Sequence, residues 1–368
     1  MTKAQFIELI KAEAKALEMI RDLNHPHLIK AIAYYQKGND HFFVFPWADG
    51  GNLRDLWNRG CEELTYDYCV WIFVQLCGLA NAIKTLHHSG ALEKGACRHG
   101  DLKAENILCF DKTLVISDVG LAKVHNEVTE LRHGPTVALG GTMTYQPPEA
   151  EIFTQQPRTR RYDVWSMGCI YLEFAIWLLY GNKELIRFRG DIDRFYVIAP
   201  SQGNPSRVAQ IHPVAQKWID WIKADVRCPR DTALWHLVDL VETRLLVPDV
   251  SNDNGLTKKN TVPSGDQGGG ITMVVRQPTI LEAYDTSSTN SRAYAAEMDE
   301  KMQNIYDAAT LGRTPKIKWI DWSERKGTNW QGPQGKFGDR LATSHASAEG
   351  APMKNQPAST PLINLGIT

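Results

Sequence analysis

Within the run Arg98-His99-Gly100-Asp101-Leu102-Lys103-Ala104-Glu105-Asn106-Ile107-Leu108, a carboxylate, an amine and an amide follow one another at short spacing. A second carboxylate, Asp118, follows in Val115-Ile116-Ser117-Asp118-Val119-Gly120. Asn106 and Asp118 are hard oxygen donors of the kind magnesium takes. Both stand at the ends of short strand-like pieces, so they can converge on one cation. A lone Asp or Asn in a loop is ordinarily a turn or a cap; the argument for chemistry lies in the spacing of the whole set. Farther on stand Gly141-Thr142-Met143-Thr144-Tyr145-Gln146-Pro147-Pro148-Glu149 and Asp163-Val164-Trp165-Ser166-Met167-Gly168.

Apolar periodicity shows what must position these residues. Phe6, Leu9, Ile10, Leu17 and Ile20 recur at helical period, with Glu13 inside the same stripe, where it calls for a cation. After Asn24-His25-Pro26 a strand-like pair, Leu28 to Tyr35 and His41 to Phe45, flanks the turn Lys37-Gly38-Asn39-Asp40. Ile72, Leu76, Leu79, Ile83 and Leu86 predict a long buried helix ending at His88-Ser89-Gly90, and another helix starts at Asp163. Its apolar run, Cys169 to Tyr180, is interrupted by Glu173 and is too short to span a bilayer. Leu234, Leu237, Val241, Leu245 and Ala295, Met298, Met302, Ile305 mark two more helical stripes. Between them, 250 to 290 is rich in Ser, Asn, Gly, Asp and Thr and reads as a disordered surface insertion.

The chain has 368 residues, 43% apolar and 23% charged, and a formal net charge of -1. That balance excludes collagenous or wholly disordered chains and supplies no general field for nucleic acid or an acidic membrane. The seven cysteines form no Cys-x-x-Cys pair, which argues against a zinc finger or a secreted disulfide scaffold and for a reducing compartment, cytoplasmic or nuclear. The N-terminal segment mixes charges through its apolar positions and shows no secretory signal.

Over roughly residues 6 to 310 the ordered set resembles the eukaryotic protein kinase superfamily, whose signatures are H-R-D-L-x-x-x-N, D-F-G and A-P-E. The resemblance implies an α+β, protein-kinase-like fold: a mainly helical large lobe with a truncated small lobe of one helix and about two strands. It implies a remnant small lobe and hinge over 1–52, a large lobe over 53–312 containing the insertion, and a flexible tail over 313–368. It also implies ATP, Mg2+ and a protein substrate. Asp101 would orient the acceptor hydroxyl and Lys103 would set a cation beside the transferring phosphate, as in serine/threonine members. Thr142 would contact both, and Asn106 and Asp118 would hold the metal. Phe43 to Leu53 resembles the adenine-holding hinge. There Pro46 offers a carbonyl oxygen, Ala48 an N–H, Phe45 the back of the pocket, and Leu108 the floor, with Asn52 as a further nucleotide-binding residue. Glu149 would pair with Arg292, and Asp163 would support the catalytic loop near His99.

Three departures qualify the resemblance. Gly100 replaces an arginine that in many kinases grips an activation-loop phosphate, which speaks against that mode of control. Val119 replaces the aromatic residue of D-F-G with a smaller apolar one. The glycine-rich loop and the V-A-I-K lysine do not occur in these 368 residues, so about half of the small lobe is expected to be missing and nucleotide binding to be weak. The competing reading is a pseudokinase acting as an interaction module. A small-molecule kinase is disfavoured by Thr142, Pro147-Pro148-Glu149 and the Asp163 helix. Arg313 to Arg340 carries seven Lys/Arg against three acids, interleaved with Trp319, Trp322 and Trp330. The expected alternatives are tryptophans folded back onto the lobe, a docking segment for an acidic protein, or, least favoured, a nucleic-acid contact.

Overall fold

The computed structural model describes residues 22–38, 40–59, 65–89, 98–118, 143–153, 158–200, 207–248, 291–310 and 315–322. The helix expected at Phe6 to Ile20, Thr142, Val119, the insertion 250–290 and Trp330 lie outside them. Their elements are two hairpin strands, β1 (Ala33–Lys37) and β2 (Asp40–Val44); a short helix α1 (Leu53–Asn58); a long helix α2 (Tyr66–Ser89); and a second hairpin, β3 (Ile107–Phe110) and β4 (Thr113–Ile116). There follow α3 (Glu149–Ile152), α4 (Arg161–Gly190), the hairpin β5 (Tyr196–Pro200) and β6 (Arg207–Ile211), α5 (Pro213–Ala224), α6 (Ala233–Leu240) continued by a π turn at Val241–Leu245, and α7 (Ala295–Thr310). All three two-stranded sheets are antiparallel.

The core is the helical part. Ile72, Leu76, Leu79, Ile83 and Leu86 on α2 are all buried, as are Leu234, Leu237, Val241 and Leu245 and the stripe Ala295, Met298, Met302, Ile305. Among the described residues two helices are long and apolar enough to cross a membrane by length and composition. However, 89% of the apolar window of Arg161–Gly190 and 56% of that of Tyr66–His88 are buried against neighbouring elements, as in core helices. Gly181 breaks α4 with a positive φ of 81°, just beyond the apolar run. Glu173, the charge inside that run, is 1% exposed and is neutralised where it lies: Arg189 Nε donates to it at 2.7 Å and the Tyr145 hydroxyl at 2.6 Å.

The first strand differs from the expected Leu28 to Tyr35. Leu28 bridges Ile116 in parallel, and the Ile29 N–H donates to the Ile116 carbonyl at 2.8 Å, so the large lobe captures these two residues and the hairpin begins only at Ala33. His27 fixes the same segment to α2. Its ring lies so close to Gly78 that a Cβ there would stand 2.0 Å from Nε2. The β1 strand is exposed along its whole length, with Tyr34 and Tyr35 each 45% accessible.

Of the alternatives for the tail tryptophans, Trp319 takes the first, folded back onto the lobe. Trp319 is 2% exposed and packs on Phe73, Tyr66 and Tyr306, and the Ala233 N–H donates to the Lys318 carbonyl. An indole and an adjacent isoleucine outweigh the polar composition around them, so these residues belong to the lobe.

Candidate catalytic site

Asp163, on the first turn of α4, is fully buried and carries the loop that holds Asp101. Its Oδ2 accepts from His87 Nε2 and from the His99 backbone N–H, and its Oδ1 from the Gly100 N–H, each at 2.8 Å. Burial pushes this carboxyl up. The hydrogen bond and charge of His87, with His99 and the Gly100 N–H, more than reverse that and hold it below the usual carboxylate range. His87 is a support that the motif spacing did not single out; its position in the last turn of α2 was the available signal. Gly100 takes a φ of 79°, which a glycine adopts without a Cβ clash.

His99 is buried and ties the loop to the second hairpin. Its Nε2 donates to the Ser117 carbonyl at 2.7 Å, which leaves Nδ1 to accept the Asp101 N–H at 3.2 Å; the tautomer follows from these partners. Asn106 closes the loop onto itself. Its Nδ2 donates to the Asp101 carbonyl at 2.8 Å and to Asp101 Oδ2 at 3.3 Å, while its own carbonyl accepts from the Ser117 N–H and hydroxyl. Lys103 Nζ donates to the same Asp101 Oδ2 at 2.8 Å. Asp101, Lys103 and Asn106 thus form one polar cluster.

Asp118 follows Ser117 at an exposed position with φ 56°. Its carboxyl is pushed up, first by loss of hydration and then by the like charge of Asp101, against the pull of His99 and Lys103. These interactions bring Asp118 into the electrostatic neighbourhood of the cluster. Among the described residues no group of three or more His, Cys, Asp or Glu forms a ready-made metal cage. The donor set nevertheless suits Mg2+: Asn106 spends its amide nitrogen on Asp101 and keeps Oδ1 as an acceptor, and Asp118 supplies a carboxylate. Mg2+ commonly takes one or two protein oxygens and completes its shell with water and phosphate.

The hinge residues run along the edge of β3. The Gly50 N–H donates to the Cys109 carbonyl at 3.0 Å and the Cys109 N–H to the Gly51 carbonyl at 2.8 Å, and Asn52 bridges Leu108. Phe45 and Ala48 are half-buried and Pro46 is exposed. Among the described residues neither the Pro46 carbonyl nor the Ala48 N–H has a backbone partner. Leu108 is half-buried, on the strand face opposite Ile107 and Cys109. Asn52 differs from its expected ligand role: its Oδ1 accepts from the Arg54 and Asp55 N–H groups, and Asp55 returns a bond to the Asn52 N–H, forming a capping box that starts α1.

Below the loop Arg292 is fully buried and grips Glu149 with both terminal nitrogens, at 2.5 and 3.0 Å. Its Nε donates to the Val247 carbonyl, and its guanidinium lies 4.9 Å from the Trp165 ring centroid. Arg292 precedes α7 instead of opening it.

Residues 3–233 match the protein kinase domain family. The human serine/threonine-protein kinase Nek5 is 29% identical over 168 residues, 45% of this chain and 22% of its own length. A probable receptor-like protein kinase of Arabidopsis thaliana is 28% identical over 334 residues, 84% of this chain and 36% of its own. The calcium/calmodulin-dependent protein kinase cmkA of Emericella nidulans is 28% identical over 160 residues, 42% of this chain and 34% of its own. This chain therefore spans about a fifth to a third of the length of such relatives. Protein kinases use ATP and Mg2+ and act on protein substrates. The family match extends through the catalytic loop, the second hairpin and α4, where the polar groups converge, and this chain belongs to the protein kinase domain family.

Proposed function

We propose that this chain, when preceded by a glycine-rich loop and a lysine-bearing strand, transfers the γ-phosphoryl group of ATP to Ser or Thr hydroxyls of protein substrates. The convergence of Lys103 and Asn106 on a single oxygen of Asp101 carries this reading. With Oδ2 held by both, Oδ1 of Asp101 accepts nothing among the described residues and is left to take the hydrogen bond of an incoming hydroxyl. Phosphoryl transfer needs chiefly positioning and charge neutralisation. Lys103 supplies a cation within reach of the same acceptor. Asn106 and Asp118 would hold Mg2+, which neutralises phosphate charge when bound. The Pro46 carbonyl and Ala48 N–H would meet the adenine edge, between Phe45 and Leu108. A reducing compartment is supported by Cys69, Cys77, Cys109, Cys169 and Cys228, all free thiols, with burial pushing Cys109 up to about 11.

The test is transfer from radiolabelled ATP to a generic Ser/Thr protein substrate by the chain preceded by a glycine-rich loop and a lysine-bearing strand. Asp101→Asn and Asp118→Asn should each lower the rate by about 100-fold or more. Wild-type rates in both variants would refute the assignment, and nucleotide binding without transfer would favour the pseudokinase reading.

A further inference from the structure

Arg158-Thr159-Arg160-Arg161 immediately precedes Tyr162 and Asp163, and in space it meets Arg98, the residue before His99. Arg98 Nη1 donates to the Arg158 carbonyl, which joins this turn to the catalytic loop. The Arg158 guanidinium lies 5.3 Å from the Tyr162 ring centroid, and Arg160 Nη1 donates to the His87 carbonyl at 2.7 Å. Arg158 and Arg160 are exposed, and among the described residues neither has a carboxylate partner. Among the described residues the neighbouring acids have other partners: Asp163 has His87 and two backbone N–H groups, Glu149 has Arg292, and one oxygen of Asp101 has Lys103 and Asn106.

Beneath this patch the Tyr162 hydroxyl, on a residue 2% exposed, has no hydrogen-bond partner among the described residues. Buried hydroxyls are normally satisfied. Arg98, which reaches the Arg158 carbonyl, stands three residues before Asp101, so the patch adjoins the loop that carries the carboxylate for the acceptor hydroxyl. The chain as a whole has a net charge of -1, so the positive surface is local. Guanidinium groups present planar, paired donors matched to a carboxylate.

We propose that Arg158 and Arg160 bind an Asp or Glu side chain of the protein substrate close in sequence to the acceptor Ser or Thr, so that this chain selects acidic substrates. The proposal rests on the kinase reading and names the substrate class for that site. It needs no turnover to test. Three fluorescent peptides, each with one Ser flanked by Asp, Ala or Lys residues, are titrated with the 368-residue chain and followed by anisotropy. The Asp peptide should bind more tightly than the Ala peptide by about fivefold per arginine engaged, and the difference should shrink at high salt. Arg158→Ala with Arg160→Ala should abolish the preference, and Arg158→Glu should reverse it towards the Lys peptide, with circular dichroism checking that both variants fold. Equal affinities for the Asp and Ala peptides, or an unchanged preference in the Arg158→Glu variant, would overturn acidic selection and leave the phosphoryl-transfer reading intact. Binding of none of the three peptides also overturns it, and the radiolabel assay then decides separately whether the kinase reading stands.

Discussion

Asp163→Asn strikes the point from which the catalytic loop hangs. The native carboxylate offers Oδ2 to His87 and the His99 N–H and Oδ1 to the Gly100 N–H, all at 2.8 Å and all buried. An amide of the same shape keeps one acceptor oxygen and turns an NH2 group towards a donor. Whichever way it flips, at least one N–H loses its acceptor and the surviving bonds lose their ionic character. A hydrogen bond to a charged group contributes about 1.5–3 kcal/mol, and an orphaned buried donor costs about 1–3 kcal/mol. Against these stands the relief of no longer burying a charge, so the net loss is about 3 kcal/mol. Urea titration should show a lower midpoint with an unchanged slope. The pH dependence follows from the depressed Asp163 carboxyl. Its stabilisation is fully present above the unfolded value of about 3.9 and is lost as pH falls through the lower folded value. The gap between wild type and variant should therefore be full at neutral pH and narrow in acid. A gap under about 0.5 kcal/mol, the size of an ordinary surface change, or one that does not narrow in acid, would refute the anchoring argument.

Glu149→Gln should cost about 3–5 kcal/mol by denaturation, because it leaves the fully buried Arg292 guanidinium without its counter-charge; a near-neutral result would mean that the Val247 and Arg161 carbonyls, which also accept from Arg292, suffice. Gly100→Ala forces a Cβ onto a φ of 79° and should lower stability by about 1 kcal/mol, read as a fall in melting temperature. Trp319→Ala should cost about 3–5 kcal/mol, measured by urea titration, since the indole is buried on Phe73 and Tyr306. Unchanged stability there would return 315–322 to the solvated tail.

The helical core was legible because its signal is local. The stripe Ile72 to Leu86 and the stripe Ala295 to Ile305 each fix a buried face from residues within a few turns of one another. The catalytic loop was legible through the spacing of Asp101, Lys103 and Asn106, and the Glu149–Arg292 pair through the order of the motifs. Failures came where a distant partner decides. Nothing in Leu28-Ile29 says that β4 will claim them before β1 can. Asn52 has the composition of either a ligand or a cap, and the returning bond from Asp55 makes it a cap. No strands were assigned to 196–211, where β5 and β6 pair. Trp319 is different: back-folding was among the readings of its polar, basic stretch, and the aromatic surface offered by Tyr66, Phe73 and Tyr306 is what makes its burial favourable.

The supports of the polar cluster divide it into two unequal parts. Asp101, Lys103 and Asn106 depend on α4 through Asp163, on β4 through Ser117 and on one another, all within the large lobe. Their geometry is thus built by folding itself, which is what electrostatic preorganisation requires. Asp118 is different. It holds a left-handed φ of 56°, accepts no hydrogen bond among the described residues, and has a carboxyl pushed up by lost hydration beside the like charge of Asp101. A bound cation favours the ionised form of such a group. Asp118 is therefore the member of the set that no described hydrogen bond fixes, whereas the acceptor side of the site is tied into the fold through Asp163 and Ser117.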